Sequence, residues 1–245
     1  MKALIFAAGL GTRLRPLTDT VPKALVEVGG KPLIRIVTDK LIDSGCSPIC
    51  VNVHHHADKL REYITVNMPG TLISDESDML RDTGGGIRHA APLLRDDGPF
   101  LVHNVDILTN ADVHRLMMSH RPDALATLLV SDRKTGRYLY FDDDMRLKGW
   151  TDTRTAETRS PFPDFDPARC RMLAFDGIHV LSDRVFGLME GWPERFPIME
   201  FYLTASDRYP IYGIEQQGLR FMDVGKPDAL EEAQRLYASG DRFWE

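Results

Sequence analysis

The stretch FAAGLGTRLRPLTDTVPKAL, residues 6–25, sets two glycines, two arginines and a lysine directly behind an apolar run. This is chemistry for holding phosphate. A strand that ends in Gly9-Leu10-Gly11 and turns exposes backbone N–H groups, and glycine lets an anion approach where a Cβ would block it. Arg13, Arg15 and Lys23 can add charge-assisted hydrogen bonds. Two familiar phosphate loops do not match. The dinucleotide fingerprint G-x-G-x-x-G needs a glycine at position 14, which is Leu14, and the Walker A string G-x-x-x-x-G-K-[ST] occurs nowhere in the chain. Charge is concentrated here too: residues 1–31 carry five basic side chains against Asp19 and Glu27, a local +3 in a chain of net charge −6. That asymmetry suits a small anionic ligand and argues against nucleic acid.

The elements that must position this loop alternate between strand and helix. Apolar runs predict strands at 2–8, 49–53, 71–74 and 100–102. Helical periodicity predicts helices over 32–44, 57–66, 85–94 and 111–120, the first ending at Gly45. Repeated βαβ units imply a single α/β domain, Rossmann-like, with a mixed, mostly parallel sheet and helices on both faces. Its ligands belong beyond the carboxyl ends of the strands. From residue 124 the texture changes to hairpin-like runs, ALATLLV, RYLYF and RLKGW, followed by a polar, proline-bearing stretch at 151–167 that reads as an exposed loop or lid. The end returns to a strand at 219–224 and a helix at 227–238. The chain thus divides into an alternating half, 1–123, and a hairpin-rich half, 124–245, with no internal repeat.

Two acids stand at strand ends, Asp106 and Asp223, where both can reach one edge of the sheet. Taken alone, Asp106 reads first as a helix cap, with Asn110 and Asp112 just beyond. Gly84, Gly85 and Gly86 form either a turn or the start of a helix. His54, His55 and His56 alternate faces on an extended chain, so they cannot easily ligate one ion together and read as strand-end polar groups. Cys46, Cys50 and Cys170 show no zinc or redox spacing and suit a reducing compartment.

Residues 7–34, AAGLGTRLRPLTDTVPKALVEVGGKPLI, resemble the signature of the sugar-1-phosphate nucleotidylyltransferases, which fixes about a dozen positions at set spacing. DTGGGI at 82–87 is similar to that family's base-facing segment, HNVDI at 103–107 to its metal-binding Asn-x-Asp, and MDVGKPDAL at 222–230 to its closing acidic segment. TGGGI with a short C-terminus is similar to the compact N-acetylmuramate-1-phosphate uridylyltransferase and mannose-1-phosphate guanylyltransferase-like branch. The resemblance implies nucleotidyl transfer from a nucleoside triphosphate to a sugar 1-phosphate. It implies Mg²⁺ on Asp106 and Asp223, with Arg13 and Lys23 completing the catalytic set. Nucleotide contacts fall on Ala8, Gly9, Gly11, Thr12, Arg13, Lys23, Asp82, Thr83, Gly84, Gly85 and Asn104. Arg13 is expected to clamp the β and γ phosphates and Lys23 to stabilise charge at the α-phosphate.

The acceptor side departs from the family. No mid-chain Glu-Lys pair is evident, leaving Arg137, Lys148 and Glu200 as candidates, with Gly177 in FDGIHVL matching a strand that supports the sugar. Val105 stands where Asn-Gly-Asp is common, and its side chain should narrow the space beside Asp106. Two alternatives share the N-terminal loop: a CTP-dependent phosphocholine cytidylyltransferase and a catalytically silent nucleotide-binding homologue.

At 245 residues the chain can bury a full core without staples. No stretch approaches the roughly 20 apolar residues of a membrane span. The expectation is a cytoplasmic monomer or homodimer whose partners are its small-molecule substrates, with neither nucleic acid nor membrane.

Overall fold

A computed structural model describes residues 1–96 and 98–244. The first strand, β1 (Lys2–Phe6), runs into the glycine loop, which leads through a short hairpin of β2 (Glu27–Val28) and β3 (Lys31–Pro32) to α1 (Leu33–Asp43). β4 (Ile49–Val53), α2 (Ala57–Asn67), β5 (Leu72–Asp75), α3 (Asp82–His89), α4 (Ala91–Leu94) and β6 (Phe100–Asn104) continue the alternation. β7 (Ile107–Thr109) and α5 (Val113–Met118) follow, then the strands β8 (Ala126–Ser131), β9 (Arg137–Phe141), β10 (Leu147–Asp152), β11 (Glu157–Arg159) and β12 (Arg171–Leu181). The chain closes with α6 (Val185–Leu188), α7 (Ile198–Ala205), β13 (Ile211–Ile214), β14 (Phe221–Asp223) and α8 (Pro227–Ser239).

Ten strands form one mixed sheet. Its main path runs β11-β10-β9-β12-β6-β1-β4-β5; β8 joins at β12, and β13 pairs with β8. The part around the glycine loop is parallel: β1 lies between β4 and β6, and β5 extends the same side. The antiparallel strands join through β12, whose long run pairs with β6, β8 and β9.

Alternation along β1 explains the layers, because successive side chains of a strand point to opposite faces. Ala3 and Ile5 enter one core, with side chains from α1, α2, α5 and α8. Leu4 enters the other, with α3, α4, α6 and α7. Helices therefore cover both faces, and the run KALIF is apolar throughout its middle because neither face meets water.

Two sequence expectations change. The single helix expected over 85–94 begins at Asp82 and breaks at Ala90, where Pro92, in the first turn of α4, cannot supply the N–H that a continuous helix requires. The stretch 151–167 is not wholly a loop. Thr151 and Asp152 end β10 in buried positions, and β11 pairs back on them through Thr151↔Thr158. Thr151 Oγ1 donates to the Glu157 carbonyl at 2.9 Å, which satisfies a buried hydroxyl that the polar composition had marked as exposed.

Two fully buried imidazoles sit where β6 and β12 pair. His103 Nδ1 lies 2.8 Å from the Asn104 carbonyl and His179 Nδ1 lies 3.0 Å from the Tyr202 hydroxyl, while both Nε2 atoms lack a hydrogen-bond partner. Burial lowers His103 to about 4 and His179 to about 3. The unfolded chain accepts these protons near the ordinary value of about 6.5, and the folded chain does not, so stability is lost as pH falls from about 6.5 toward 4. Between pH 7 and pH 5 each imidazole should remove about 2 kcal/mol. The buried carboxyls of Glu76 and Asp176, both raised by burial, offset part of this. A net fall in the urea midpoint at pH 5 is expected, and an unchanged midpoint would contradict it.

Candidate active site

The glycine loop is held from beneath. Asn52, the fourth residue of β4, accepts at Oδ1 from the backbone N–H of Ala7 (2.7 Å) and of Ala8 (3.2 Å). Its Nδ2 donates to Glu76 Oε1 at 2.8 Å, and Glu76 Oε2 accepts the Arg81 N–H at 3.3 Å. One buried acid thus ties the loop after β1 to the start of α3. Gly11 turns the loop at φ 65, and a Cβ there would lie 2.8 Å from Thr18 Cγ2, so glycine is needed for both conformation and space. A 3₁₀ turn over Thr12–Leu14 follows and presents Arg13.

Four charged side chains converge beside this loop. Lys23, mostly buried after Pro22, forms an ion pair with Asp106. Arg13 Nη1 lies 3.1 Å from Asp223 Oδ2, and Arg13 Nη2 lies 3.6 Å from Asp106 Oδ2. Both carboxylates therefore meet on one guanidinium. The antiparallel pair β7·β14 sets Asp223 opposite Ile107, and the Val224 N–H donates to the Asp106 carbonyl at 2.9 Å, so backbone pairing brings together two acids far apart in the chain. Burial pushes the Asp223 carboxyl up, but the hydrogen bond and charge of Arg13, with the Gly225 N–H at 3.0 Å, outweigh it and hold it below its ordinary value.

Arg13, Lys23 and Asp106 border a cleft of about 390 Å³ beyond the carboxyl ends of β1, β4 and β6, and Asp223 stands behind Arg13. Ala8, Gly9, Gly11, Thr12, Arg13, Lys23, Asp82, Thr83 and Asn104 all line it. Two of these already have protein partners: Asp82 accepts from Arg195 Nε at 2.8 Å, and Thr83 Oγ1 accepts from the Ile198 N–H at 2.8 Å. Gly84 and Gly85 lie elsewhere, inside α3 against the 194–196 segment. A Cβ on Gly84 would lie 2.3 Å from the Phe196 ring, and one on Gly85 would lie 2.2 Å from the Glu194 carbonyl. Their place in the fold is close packing of α3. Val105 is buried in the first core as well as bordering the cleft.

The acceptor candidates separate. Gly177, at φ 73, permits a close approach to Asn104, whose Nδ2 would lie 2.7 Å from a Cβ there. Arg137 and Glu200 share a second cavity of about 450 Å³ with Arg133, Arg159 and Trp150. Glu200 accepts two bonds from Arg159, at 2.7 and 3.0 Å. Lys148 lies apart from both, its Nζ 3.5 Å above the Phe162 ring beside a different cavity.

Asn52, Glu76 and Gly225 carry the site and were not singled out by sequence reasoning. Asn52 is the one polar residue in ICVNV, a signal that was available. Glu76 and Gly225 stand out only once their neighbours are known.

Residues 2–153 match the family model described as nucleotidyl transferase. The chain belongs to the nucleotidyl transferase family. This transferase is 31% identical over 246 residues to N-acetylmuramate alpha-1-phosphate uridylyltransferase of Caulobacter vibrioides, covering 96% of each chain. It is 29% identical to mannose-1-phosphate guanyltransferase of Saccharomyces cerevisiae, of whose length it spans 64%. Both branches read from the TGGGI segment and short C-terminus are therefore represented among its relatives. Among solved structures, UDP-glucose pyrophosphorylase complexed with UDP-glucose superposes with a TM-score of 0.77 at 18% identity, covering 98% of each chain. HddC of Yersinia pseudotuberculosis complexed with GMP-PN superposes with a TM-score of 0.74 at 21% identity, covering 96% of this chain and 99% of that one. These superpositions establish the fold: a single domain on a mixed sheet, parallel around the glycine loop and antiparallel beyond β12. Among the described residues no helix is long and apolar enough to cross a membrane.

Proposed function

We propose that this transferase moves a nucleotidyl group from a nucleoside triphosphate to a sugar 1-phosphate, releasing pyrophosphate. The observation that carries the reading is the meeting of Lys23, Arg13 and Asp106 in a glycine-lined cleft, with Asp223 paired to the same Arg13. A phosphate oxygen of the acceptor attacks the α-phosphorus as the bond to the β-phosphate oxygen breaks. The nucleophile arrives ionised, so the chain needs no strong general base. Positioning and charge neutralisation carry the rate.

Lys23 then serves the α-phosphate and Arg13 the departing β and γ phosphates, each exchanging its carboxylate partner for substrate oxygen. Asn52 keeps the loop shaped for the triphosphate. Asp106 and Asp223 offer oxygen donors only, and among the described residues no third His, Cys, Asp or Glu completes a cluster. That donor set fits a hard ion such as Mg²⁺, which keeps waters and takes substrate phosphates as its other ligands. Bound there, it would neutralise phosphate charge in the transition state.

The cavity shared by Arg137 and Glu200 is lined by Arg133 and Arg159 and also by the aromatic rings of Tyr138, Trp150 and Phe175, so phosphocholine belongs in the test beside the sugar phosphates. A silent homologue would have no use for both acids and both cations in mutual contact. We place the reaction in the cytoplasm, with UTP or GTP as donor, in the supply of activated sugars to the cell envelope. The test is a pyrophosphate-release panel of four nucleoside triphosphates against N-acetylmuramate α-1-phosphate, mannose 1-phosphate, glucose 1-phosphate and phosphocholine. Release with a sugar 1-phosphate is expected. Silence in every well, with magnesium present and the protein folded, would leave only nucleotide binding.

A further inference from the structure

The starts of α3 and α7 hold each other. Neither helix is capped by the side chain before it: Arg81 makes no such bond to α3, and Pro197 makes none to α7. Each is completed by the other's segment instead. The Phe196 carbonyl accepts from the Gly84 N–H at 2.9 Å and from the Gly85 N–H at 3.2 Å, which satisfies two first-turn donors of α3. In return, Thr83 Oγ1 accepts at 2.8 Å from the N–H of Ile198, the first residue of α7. That donor would otherwise have no partner within its own helix. Two further bonds tighten the junction. The Phe196 N–H donates to the Arg81 carbonyl at 3.3 Å, and Arg195 Nε donates to Asp82 Oδ2 at 2.8 Å. Asp82 itself sits at φ 57, a left-handed conformation uncommon outside glycine, which persists because the bonds around it hold it there.

The two helix starts face different cavities. Asp82 and Thr83 line the cleft of the glycine loop. Pro197, Met199 and Glu200 line the cavity that also holds Arg159, the partner of Glu200. The junction therefore joins a wall of the nucleotide cleft to a wall of the second cavity. A threonine hydroxyl that accepts one bond still has a proton to donate. A nucleotide that takes this proton fixes the hydroxyl and polarises it, which strengthens its hold on the Ile198 N–H.

From this geometry we infer that Thr83 is a positioning residue: through its bond to Ile198, occupancy of the nucleotide cleft orders the first turn of α7 and tightens acceptor binding in the cavity of Glu200. This coupling rests on the proposed function and deepens it. Thr83 acts on the acceptor through α7, without touching it. The effect is reciprocal, since bound acceptor must tighten the nucleotide by the same factor.

The experiment measures by calorimetry the binding of the sugar 1-phosphate used fastest in the panel above. Binding is compared with and without a donor analogue that carries a methylene bridge between its α and β phosphates. Wild type should bind the acceptor about tenfold tighter when the analogue is present. Thr83→Val, which keeps the shape of the side chain and loses the hydroxyl, should lower that ratio severalfold. Thr83→Ser keeps the hydroxyl and should keep the ratio. A role confined to holding α7 in place would weaken acceptor binding equally with and without the analogue, and the ratio would not move. Thr83→Ala takes the place of Thr83→Val if that variant does not fold. A wild-type ratio near one, an unmoved ratio without the hydroxyl, or a lost ratio in Thr83→Ser overturns the inference while leaving the transfer reaction standing. Absence of pyrophosphate release with every acceptor overturns the proposed function, and this inference with it.

Discussion

Lys23→Ala should lower kcat/KM about 10³-fold while leaving the protein folded. The ammonium is mostly buried, held by Pro22 on one side and paired with Asp106 on the other, so it is preorganised for charge that develops at the α-phosphate. Removing one such preorganised donor from an active site costs roughly 3–4 kcal/mol of transition-state stabilisation. Lys23→Arg should recover little, because a planar fork does not replace a compact point charge in a space this confined. Stability should fall modestly, since Asp106 retains Arg13 at 3.6 Å. Steady-state pyrophosphate release together with a urea midpoint checks both halves. Near-normal turnover by a folded Lys23→Ala protein would remove Lys23 from the mechanism.

Gly225→Ala should be the cleanest separation of activity from folding. A Cβ at this position would lie 2.6 Å from Asp106 Oδ2, 2.6 Å from Lys23 Nζ and 2.7 Å from Arg13 Nη2. Each of those atoms ends a side chain, and two of the side chains are long and flexible, so the fold can yield by moving them aside. The active site cannot. Displacing reacting or stabilising groups by about 1 Å can cost on the order of 10² in rate, and here three groups move together. The expected outcome is a kcat/KM loss of about 10² or more with a thermal midpoint within a few degrees of wild type. A fully active Gly225→Ala enzyme would mean that the working positions of Lys23, Arg13 and Asp106 lie clear of residue 225.

The glycine loop, Arg13 and Lys23 were legible because they are close in sequence: phosphate chemistry needs open backbone and cations on one loop, and one loop can be read as a string. Asp106 and Asp223 were legible only as strand-end acids, and their pairing came from resemblance. Gly84 and Gly85 show the reverse difficulty. A glycine run signals close approach, but not of what, and in the fold the close neighbours are Phe196 and Glu194. Lys148 was a reasonable acceptor candidate by charge, yet β10 carries it to another cavity over Phe162.

The sequence alone determined the α/β alternation, the glycine loop with its cations and the family, because hydrophobic period, glycine spacing and local charge are properties of neighbouring residues. The tertiary structure alone decided that Arg13 bridges both acids, that Gly225 must lack a side chain, and that Asn52 and Glu76 brace the loop. Each of those facts depends on strand pairing between distant segments, and the distances it sets are not written in any local stretch of the chain.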